Sequence, residues 1–559
     1  MSEQITYPWM NEYSRLYLSR GYVPEGVTPE QRIKDIGDIV ERRRGYKGYS
    51  DKFQRYMARN FYSMSSPIWS NFGTNRGFPV SCFGAYPLDT MTDILYAQAE
   101  VGAVSKYGGG SSAYLGFLRE RGAMIGSHNG ESRGSVHFAK LYEEMTKVVS
   151  QGGVRKGQCA VYQDADHPDA EEFIDIGALE NPIQSMTHGM NFPDSFMEAL
   201  PDKKNEHQRH IWAKWMGARN GRGYPYGIFI DNMNNNTVDV YKDKGMKIYQ
   251  SNLCTEIALP TADDEMFVCV LASMNILSVE DWEDDAVEVL VILLETVIDE
   301  FVEKLEAMRE SDPRSFALME RAYNFVTRHR ALGIGAIGYH SYLQSKRWAF
   351  ESREAAKFNH DVFKRINDDA WEASRKLAQE LGEPEVLKGY GRRHTTLTAI
   401  APTRSSSFIH GQISKGIEPW EDNYFIMDEA KVKKTHKNPY LIEDLEALGK
   451  NTKEVWASIM KNGGSVQHLD FLSDHLKDVY RTWGEISNTA IIDQAAIRQQ
   501  YVDQSQSLNL KVGPSMTPKE ISDMYIYAWK MGIKSVYYQE GTSAAQEAAR
   551  NRSCVACEA

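Results

Sequence analysis

Cysteine is scarce in this chain. Six occur in 559 residues, at positions 82, 159, 254, 269, 554 and 557. So few thiols cannot form the disulfide framework of a small secreted domain, and that class of protein is excluded. In a reducing compartment a clustered subset of thiols is typical of catalysis or metal binding, and ordinary buried cysteines are the alternative. Composition alone leaves both interpretations open.

An excess of basic residues is also absent. Asp and Glu number 76 against 64 Lys and Arg, which gives a formal net charge of −12. Nucleic-acid backbones and anionic membranes attract basic surfaces, so neither is expected as the main partner. Any phosphate ligand is therefore expected to be held by a local arrangement of groups.

Long apolar runs are missing too. In the most hydrophobic helical stretch the longest such run, residues 289–294, lies between Glu288 and Glu295. Residues 1–10 lack the basic flank and apolar core of a signal peptide. We therefore expect a cytoplasmic protein without a membrane-spanning segment.

The chain does contain a regular alternation of strand and helix patterns. Strand-like stretches occur at residues 80–86, 158–162, 227–230, 396–400 and 536–538. Helical periodicity is strongest at residues 89–106, with Asp89 at the capping position, and at residues 280–308, 357–381 and 518–531. This alternation predicts an α/β sheet or barrel over residues 66–540. Residues 1–65 are predicted as an N-terminal helical cap and residues 541–559 as a flexible tail.

The segment 251–257 places an amide, a thiol and a carboxylate at alternate positions, namely Asn252, Cys254 and Glu256. In an extended loop these side chains project to one side and would face one ligand. Three reactive groups around one ligand are typical of an active site, although a chance arrangement is the alternative.

Cys82 and Cys269 each lie in a short strand-like run, where side chains point to fixed faces. One interpretation is two buried thiols. If the strands bring the two Cα atoms within about 4.4–6.8 Å, the pair can instead form a disulfide and deliver two electrons to a substrate.

In this order, Cys82, the 251–257 segment and Cys269 resemble the three-cysteine constellation of ribonucleotide reductase large subunits. Further blocks similar to that family occur at residues 152–157, 167–169, 173 and 493–509. The resemblance extends from about Ser66 to the last residue. It implies a ten-stranded α/β barrel of two five-stranded parallel halves, with Cys254 at the tip of an internal finger loop.

The resemblance assigns radical chemistry to the site. Cys254 would carry a thiyl radical that abstracts the ribose 3′ hydrogen, and Glu256 would accept the 3′-hydroxyl proton as general base. Asn252 would hydrogen-bond the sugar. Cys82 and Cys269 would supply the reducing equivalents and end as a disulfide. A closed barrel would shield the radical from water.

The resemblance also assigns roles to two tyrosines and to two cysteines of the tail. Tyr537 and Tyr538 match the pair that, in class I enzymes, passes a radical from a separate metal-containing small subunit, although such pairs are usually packing residues.

Cys554 and Cys557 fit a dithiol shuttle that thioredoxin or glutaredoxin reduces again. Half of a zinc site is the other interpretation, for which the sequence offers no second cluster. The chain itself is expected to bind no metal or cofactor.

Substrate contacts are implied in the same way. Hydroxyls and free backbone N–H groups can hold an anion without a basic patch, although a plain Ser/Thr-rich turn is the alternative. Many relatives have a small or acidic residue where Arg404 stands, so a phosphate contact by this side chain stays open. Nucleoside diphosphates are the class I expectation. The implied positions are Ser66, Ser81, Gly110, Pro402, Thr403, Arg404, Ser405 and Ser406.

An effector site is implied where the helix at residues 89–106 opens, at Asp89 and Thr90. In relatives this helix packs at a homodimer interface and binds a deoxynucleotide or ATP effector. Arg119 matches a triphosphate contact, although a solvated helix charge is the simpler interpretation. Residues 178–191 match a flexible loop that passes effector identity to the active site, a coupling that must be reciprocal.

Residues 1–65 are too short for the roughly hundred-residue nucleotide-binding cone of many relatives, so no overall-activity site of that type is expected. We expect dATP not to switch the protein off through such a domain. The strongest rival function is an adenosylcobalamin-dependent (class II) reductase, which shares the barrel and cysteines but needs no protein partner. The tyrosine pair favours class I. A nucleotide-binding paralogue without activity is less consistent, because every expected reactive residue is present.

Residues 333–338 satisfy the Gly-x-Gly-x-x-Gly pattern of dinucleotide-binding folds. They follow a helical stretch at residues 316–330, and no acidic residue lies at the expected offset in a strand context. We therefore interpret the glycines as close backbone packing. Cys159 has no partner that the sequence identifies, and we interpret it as a small core residue.

Overall fold

The computed structural model of the protein describes residues 5–126, 130–149, 157–429 and 432–541. The predicted redox tail, with Cys554 and Cys557, lies outside the described residues, as does most of the 152–157 block. No helix in the described ranges has the length and apolar character needed to cross a bilayer.

The α-helices account for most of the regular structure. In chain order they are α1 (Glu12–Leu18), α2 (Pro29–Arg44), α3 (Tyr49–Ala58), α4 (Ser66–Asn71), α5 (Met91–Lys106), α6 (Ser135–Val149), α7 (Ala170–Ile174), α8 (Asp194–Ala199), α9 (Glu206–Arg222), α10 (Ile230–Asn235), α11 (Asp239–Asp243), α12 (Ala286–Ser311), α13 (Pro313–Ala317), α14 (Glu320–His329), α15 (Tyr339–Ser345), α16 (Arg353–Leu381), α17 (Arg404–Ile409), α18 (Pro439–Ala447), α19 (Lys453–Lys461), α20 (Asp474–Val479), α21 (Asn488–Gln499) and α22 (Pro518–Lys530).

The strands are short. They are β1 (Tyr62–Met64), β2 (Cys82–Ala85), β3 (Gly110–Tyr114), β4 (Met124–Ile125), β5 (Gly130–Glu131), β6 (Gln158–Asp164), β7 (Thr187–Phe192), β8 (Tyr226–Phe229), β9 (Phe267–Asn275), β10 (Leu332–Ile337), β11 (Tyr424–Glu429), β12 (Val432–Lys437), β13 (Leu510–Lys511), β14 (Ser535–Val536) and β15 (Gln539–Glu540).

Capping side chains explain where several helices begin. Ser352 and Thr517 precede α16 and α22, and each accepts a hydrogen bond from a backbone N–H of the first turn. Several predicted bounds are wrong. Helix α16 begins at Arg353 and not at residue 357. Thr90, and not Asp89, is the capping residue of α5. The helix predicted from residue 280 begins at residue 286, because residues 276–281 form a 3₁₀ turn.

The first half of the barrel is a row of five parallel strands in the order β2, β3, β6, β7 and β8. Helices α5, α6, α7 and the α8–α9 pair make the crossovers, as parallel strands require. The strand patterns at residues 80–86, 158–162 and 227–230 correspond to β2, β6 and β8.

The second half is also parallel. β10 pairs with β9, residues 396–400 pair with β10, and residues 504–511 follow through the bridge between Ile400 and Gln506. The fifth strand, residues 535–540, lies beside residues 508–511, and Tyr537 N donates to Leu508 O at 2.8 Å.

The two halves meet at antiparallel joints, where β2 pairs with β9 and β8 pairs with β14. The closed ring therefore has ten strands in two parallel halves of five, which confirms the predicted fold. All nine residues of β9 are buried, as expected for a barrel strand covered on both faces.

Helices α1 to α3 pack against the outside of this barrel. The buried Arg32 side chain of α2 donates to Trp69 O and Phe72 O, each at 2.7 Å, and so fastens α2 to α4. β1 then pairs with β9 in antiparallel register. The N-terminal region is helical as predicted, and it reaches the wall of the barrel at β1.

Candidate active site

A loop between α11 and β9 lies inside the barrel. Residues 250–261 are all buried, with a turn at Cys254. The loop contacts both halves, because Tyr162 of β6 donates to Asn252 O and Ser535 of β14 donates to Thr255 O at 2.9 Å. This is the predicted finger loop, and Cys254 lies at its tip.

Two residues of the 493–509 block hold this tip. Ser507 Oγ donates to Cys254 O at 2.5 Å and lies 3.3 Å from Glu256 Oε2. Gln504 Oε1 accepts a hydrogen bond from a backbone N–H of the loop at 3.0 Å. Sequence reasoning gave these side chains no role. The available signal was a run of polar residues in a buried segment, because buried polar groups need partners.

Cys82 and Cys269 are directly opposed across the antiparallel joint between β2 and β9. Opposed residues have Cα atoms about 4.5–5.5 Å apart, which is within disulfide range. Both thiols are buried. Asn252 Nδ2 of the finger loop lies 3.5 Å from Cys82 Sγ, so the loop tip is beside the pair.

The surroundings keep the Cys269 thiol protonated. Burial raises the pKa of Cys269 well above its usual value, and the nearby Cys82 and Glu256 raise it further. A hydrogen bond from Gln504 Nε2 to Cys269 Sγ, at 3.5 Å, lowers the pKa but does not offset burial. Cys269 is therefore a neutral S–H at pH 7, the form that can give up a hydrogen atom.

One cavity unites most of the predicted residues. Cys82, Asn252, Cys254 and Glu256 line it. All the predicted substrate-binding positions also line it, namely Ser66, Ser81, Gly110, Pro402, Thr403, Arg404, Ser405 and Ser406. Lining residues that sequence reasoning missed are Ser63, Met64, Ser65, Leu271, Ala272 and Ser273.

The predicted phosphate loop forms one end of this cavity, directly after residues 396–400. Thr403 adopts φ 49°, and its Oγ1 accepts from Gly416 N at 2.7 Å. α17 begins at the next residue. A left-handed residue beside a helical one turns successive backbone N–H groups to one side, where they can hold an anion.

Tyr537 and Tyr538 lie beside the loop tip. The Tyr537 hydroxyl donates to Cys254 Sγ at 3.6 Å, and the two tyrosine rings have centroids 4.4 Å apart. Tyr226 of β8 joins them, because its hydroxyl donates to that of Tyr538 at 3.0 Å. Three phenols and one thiol are thus in continuous contact. Nothing in the sequence singled out Tyr226.

The predicted effector residues are adjacent. Arg119 Nε lies 2.7 Å from Asp89 Oδ2, and both side chains are about one-third exposed. Thr90 Oγ1 accepts from Asp93 N at 3.1 Å as the cap of α5. The site is thus a partly exposed ion pair at the start of a helix.

The predicted loop at residues 178–191 is too long, because residues 187–191 belong to the buried strand β7. The remaining loop is tied to α6 by Glu143, which accepts from Ser185 N at 2.6 Å, Ser185 Oγ at 2.7 Å and Gln184 N at 2.9 Å. Burial raises the pKa of Glu143, but the hydrogen bonds from Ser185 outweigh it and the pKa is lowered.

Residues 333–337 of the Gly-x-Gly-x-x-Gly pattern belong to β10, and Gly338 precedes α15. A Cβ on Gly333 would lie 2.5 Å from a Leu271 methyl carbon, and a Cβ on Gly335 would lie 2.7 Å from Ala399 O. The interpretation as close backbone packing is confirmed.

Cys159 is buried, as interpreted, and burial raises its pKa to about 12. No group of three or more His, Cys, Asp or Glu side chains that could hold a metal occurs in the described part of the chain.

A closed barrel, with a buried thiol on an internal loop and two facing thiols beside it, is typical of an oxidoreductase with a shielded active site. The ribonucleotide reductase barrel domain family matches residues 80–208, 201–387 and 384–539. The chain belongs to the ribonucleotide reductase family, as a large subunit.

Individual relatives agree over nearly the whole chain. The structure of the Actinobacillus ureae class Id ribonucleotide reductase alpha subunit is 45% identical, with a TM-score of 0.90 over 98% of this chain and 99% of that one. A Frog virus 3 (isolate Goorha) protein named as a ribonucleoside-diphosphate reductase large subunit is 35% identical over 522 residues, 90% of each chain. The corresponding subunit of Invertebrate iridescent virus 3 is 29% identical over 558 residues, 86% of each chain.

Proposed function

We propose that the protein is the large subunit of a class I ribonucleoside-diphosphate reductase, which makes 2′-deoxyribonucleotides for DNA synthesis. One observation carries the proposal. Cys254 lies on a buried loop with the Tyr537 hydroxyl 3.6 Å from its sulfur, and it shares a cavity wall with Cys82, which is opposed to Cys269. The names of the relatives, two diphosphate reductases and a class Id alpha subunit, support the class and the substrate.

In this proposal the reaction starts at Cys254. Loss of its hydrogen atom to an oxidised Tyr537 leaves a thiyl radical, which abstracts the 3′ hydrogen of the ribose. A radical at C3′ weakens the neighbouring C2′–O bond, and the 2′-hydroxyl leaves as water. Cys82 and Cys269 provide the two electrons and two hydrogens, so that one C–OH and two thiols become one C–H, one disulfide and one water. Burial of the tip keeps solvent from the radical.

Glu256 is assigned the role of general base for the 3′-hydroxyl. Its side chain is buried, lines the cavity two residues from Cys254, and has Ser507 Oγ at 3.3 Å from Oε2. Asn252 completes the row, and its amide reaches Cys82 Sγ. A substrate sugar between these groups would meet a base, a hydrogen-bonding amide and two thiols together.

Replacing Glu256 with glutamine is expected to lower kcat by about 10²–10⁴-fold, the usual contribution of a positioned base. The amide keeps the shape of the side chain but cannot accept the proton. Steady-state assays of deoxynucleotide formation measure this. Glu100→Gln is the matched control, since Glu100 is equally buried but lies on α5, outside the cavity lining. Equal kcat values for the two variants would contradict the assignment.

Replacing Cys269 with serine is expected to limit the protein to less than about one deoxynucleotide per chain, because one thiol cannot close a disulfide. Serine still fits opposite Cys82 and can still meet Gln504. Product counted after chemical quench measures the effect, with Cys159→Ser as the control. Mass spectrometry of the unsubstituted chain, deprived of reductant, should find Cys82 linked to Cys269. Continued turnover by Cys269→Ser would rule out the pair as the reductant.

The proposal includes partners and regulation. A metal-containing small subunit would supply the radical, and Cys554 and Cys557 would return electrons to the buried pair from thioredoxin or glutaredoxin. The chain would act as a homodimer, with a deoxynucleotide or ATP effector held near Asp89, Thr90 and Arg119. Residues 66–540 would form the catalytic barrel, with residues 1–65 as a helical cap and residues 541–559 as the redox tail.

The deciding experiment assays each ribonucleoside diphosphate with the purified chain and a metal-loaded small subunit, and separately with adenosylcobalamin. The proposal predicts deoxynucleotide only with the small subunit. Product with adenosylcobalamin alone would identify a class II enzyme instead. No product under either condition, with every effector, would refute the reductase function.

A further inference from the structure

Two serines form a rung of the cavity wall that the proposed mechanism does not use. Ser63 of β1 is directly opposed to Ser273 of β9, and both line the cavity. Directly opposed residues project to the same face of a sheet, with Cβ atoms about 4.5–5.5 Å apart. Cys269 and Ser273 are four residues apart on β9, so they also share a face. The Ser63–Ser273 rung and the Cys82–Cys269 pair therefore lie on the same face of the sheet.

The Ser63 hydroxyl has an unmet hydrogen bond. The side chain is 2% exposed, and its Oγ has no partner among the described residues. A buried hydroxyl without a partner destabilises a protein, so such groups are uncommon and call for an explanation. Because Ser63 lines the cavity, a ligand bound there could accept a hydrogen bond from this hydroxyl.

Ser273 connects the rung to the phosphate end of the cavity. It is in register with Gly335 of β10, and a Cβ built on Gly335 would lie 3.2 Å from Ser273 Oγ and 3.3 Å from Ile400 Cα. The phosphate loop begins at the residue after Ile400. The absence of a side chain at Gly335 is thus what lets the Ser273 hydroxyl approach the strand that leads into the loop.

The spacing along β9 separates two ends of the substrate. Ser273 is about 13 Å from Cys269, counting four residues at about 3.3 Å each. A ribose placed at the Cys82–Cys269 pair, together with its phosphate chain, would span this distance. A group bound at the serine rung is then at the outer end of the phosphate chain, where oxyanions accept hydrogen bonds from hydroxyls.

We propose that Ser63, together with Ser273, binds the terminal phosphate of the substrate and so contributes to the choice of nucleotide by phosphate number. The inference rests on the proposed function, because it takes a ribonucleotide as the occupant. It adds two hydroxyls to those of the loop at residues 402–406, which lines the same cavity. Ser63 is a binding residue in this proposal and takes no part in the radical chemistry.

The test compares binding of labelled nucleoside diphosphates and monophosphates by equilibrium dialysis to Ser63→Ala, Ser273→Ala and the unsubstituted chain. Loss of a hydrogen bond to a charged phosphate should weaken diphosphate binding by about tenfold, with less than about a twofold change for the monophosphate. Purine and pyrimidine diphosphates should lose affinity by the same factor. Ser105→Ala is the matched control, because the Ser105 hydroxyl is also buried and has no partner in the part of the chain that the structure describes, but it lies on α5, outside the cavity lining.

The results of this test can overturn the inference in several ways. If Ser63→Ala and Ser105→Ala bind diphosphate equally well, the inference is overturned. The inference is also overturned if the loss of affinity depends on the base, or if monophosphate binding weakens as much as diphosphate binding. In either case the hydroxyl would contact another part of the nucleotide. Thermal unfolding of Ser63→Ala should be unchanged or shifted upward, because the variant removes an unpartnered buried group. If the unsubstituted chain binds diphosphate but never reduces it, the proposed function fails while the serine comparison still stands.

Discussion

Replacing Cys254 with alanine is expected to abolish ribonucleotide reduction, with a loss of at least about 10⁴-fold, the scale seen when a residue that carries the reacting bond is removed. Alanine has no S–H bond, so neither Tyr537 nor the ribose has an atom to exchange a hydrogen with. The loop should keep its shape, because Ser507 bonds the backbone carbonyl of residue 254 and not its sulfur. Deoxynucleotide formation with the reconstituted small subunit measures the loss.

Cys159→Ala is the matched control for this experiment. Cys159 is as buried as Cys254, but it lies on β6 with its sulfur beside Ala160 O and does not line the cavity. Its removal is expected to change activity by less than about twofold and stability only modestly. Turnover by Cys254→Ala at the level of Cys159→Ala would refute the thiyl mechanism. Intact nucleotide binding by Cys254→Ala would show that the barrel has folded.

The grouping of residues at the site was partly predictable from the sequence, but the contacts were not. The 251–257 segment identified Asn252, Cys254 and Glu256 as one group, and all three line the cavity. The segment is not the extended loop that was expected, because it turns at Cys254 and Thr255 adopts φ 67°. The pairing of Cys82 with Cys269 depends on the register between two strands that are nearly two hundred residues apart. Register is determined by tertiary packing and turn geometry, so neither run of sequence contains it alone.

Residues that support the site escaped detection for a related reason. Ser507 and Gln504 look like surface residues by composition, and only the closed barrel reveals that they hold the loop tip. Ser63 lay in a region predicted as a helical cap, but it is part of β1, which joins the barrel wall. Polar residues in buried strands are the signal that was passed over, because each needs a partner or a ligand.

The long helices were well predicted and their first residues less so. Helix α16 ends at residue 381 as predicted, where Gly382 follows. For α5 the sequence offered two adjacent capping residues, Asp89 and Thr90. Asp89 is engaged by Arg119, thirty residues away, and Thr90 remains to cap the helix. A long-range ion pair therefore decided a local boundary.

Replacing Tyr537 with phenylalanine is expected to reduce turnover with the small subunit by at least about 10³-fold while leaving nucleotide binding intact. Phenylalanine keeps the ring contact to Tyr538 but lacks the O–H bond that, in the proposed mechanism, exchanges a hydrogen atom with Cys254 Sγ, 3.6 Å away. Assays of deoxynucleotide formation measure the loss. Tyr142→Phe is the matched control, because the Tyr142 hydroxyl is buried on α6 and has no hydrogen-bond partner in the described ranges of the chain.

Non-additivity makes this prediction specific to a radical path. When residues act as a unit, replacing one of them lowers the rate about as much as replacing all of them. The double variant Tyr537→Phe with Cys254→Ala should therefore be no slower than Cys254→Ala, whereas two independent contributions would multiply. Turnover by Tyr537→Phe at the level of Tyr142→Phe would mean that the radical reaches Cys254 without the tyrosine. A source that acts directly at the thiol, as adenosylcobalamin does in class II enzymes, would then replace the small subunit in the proposed function.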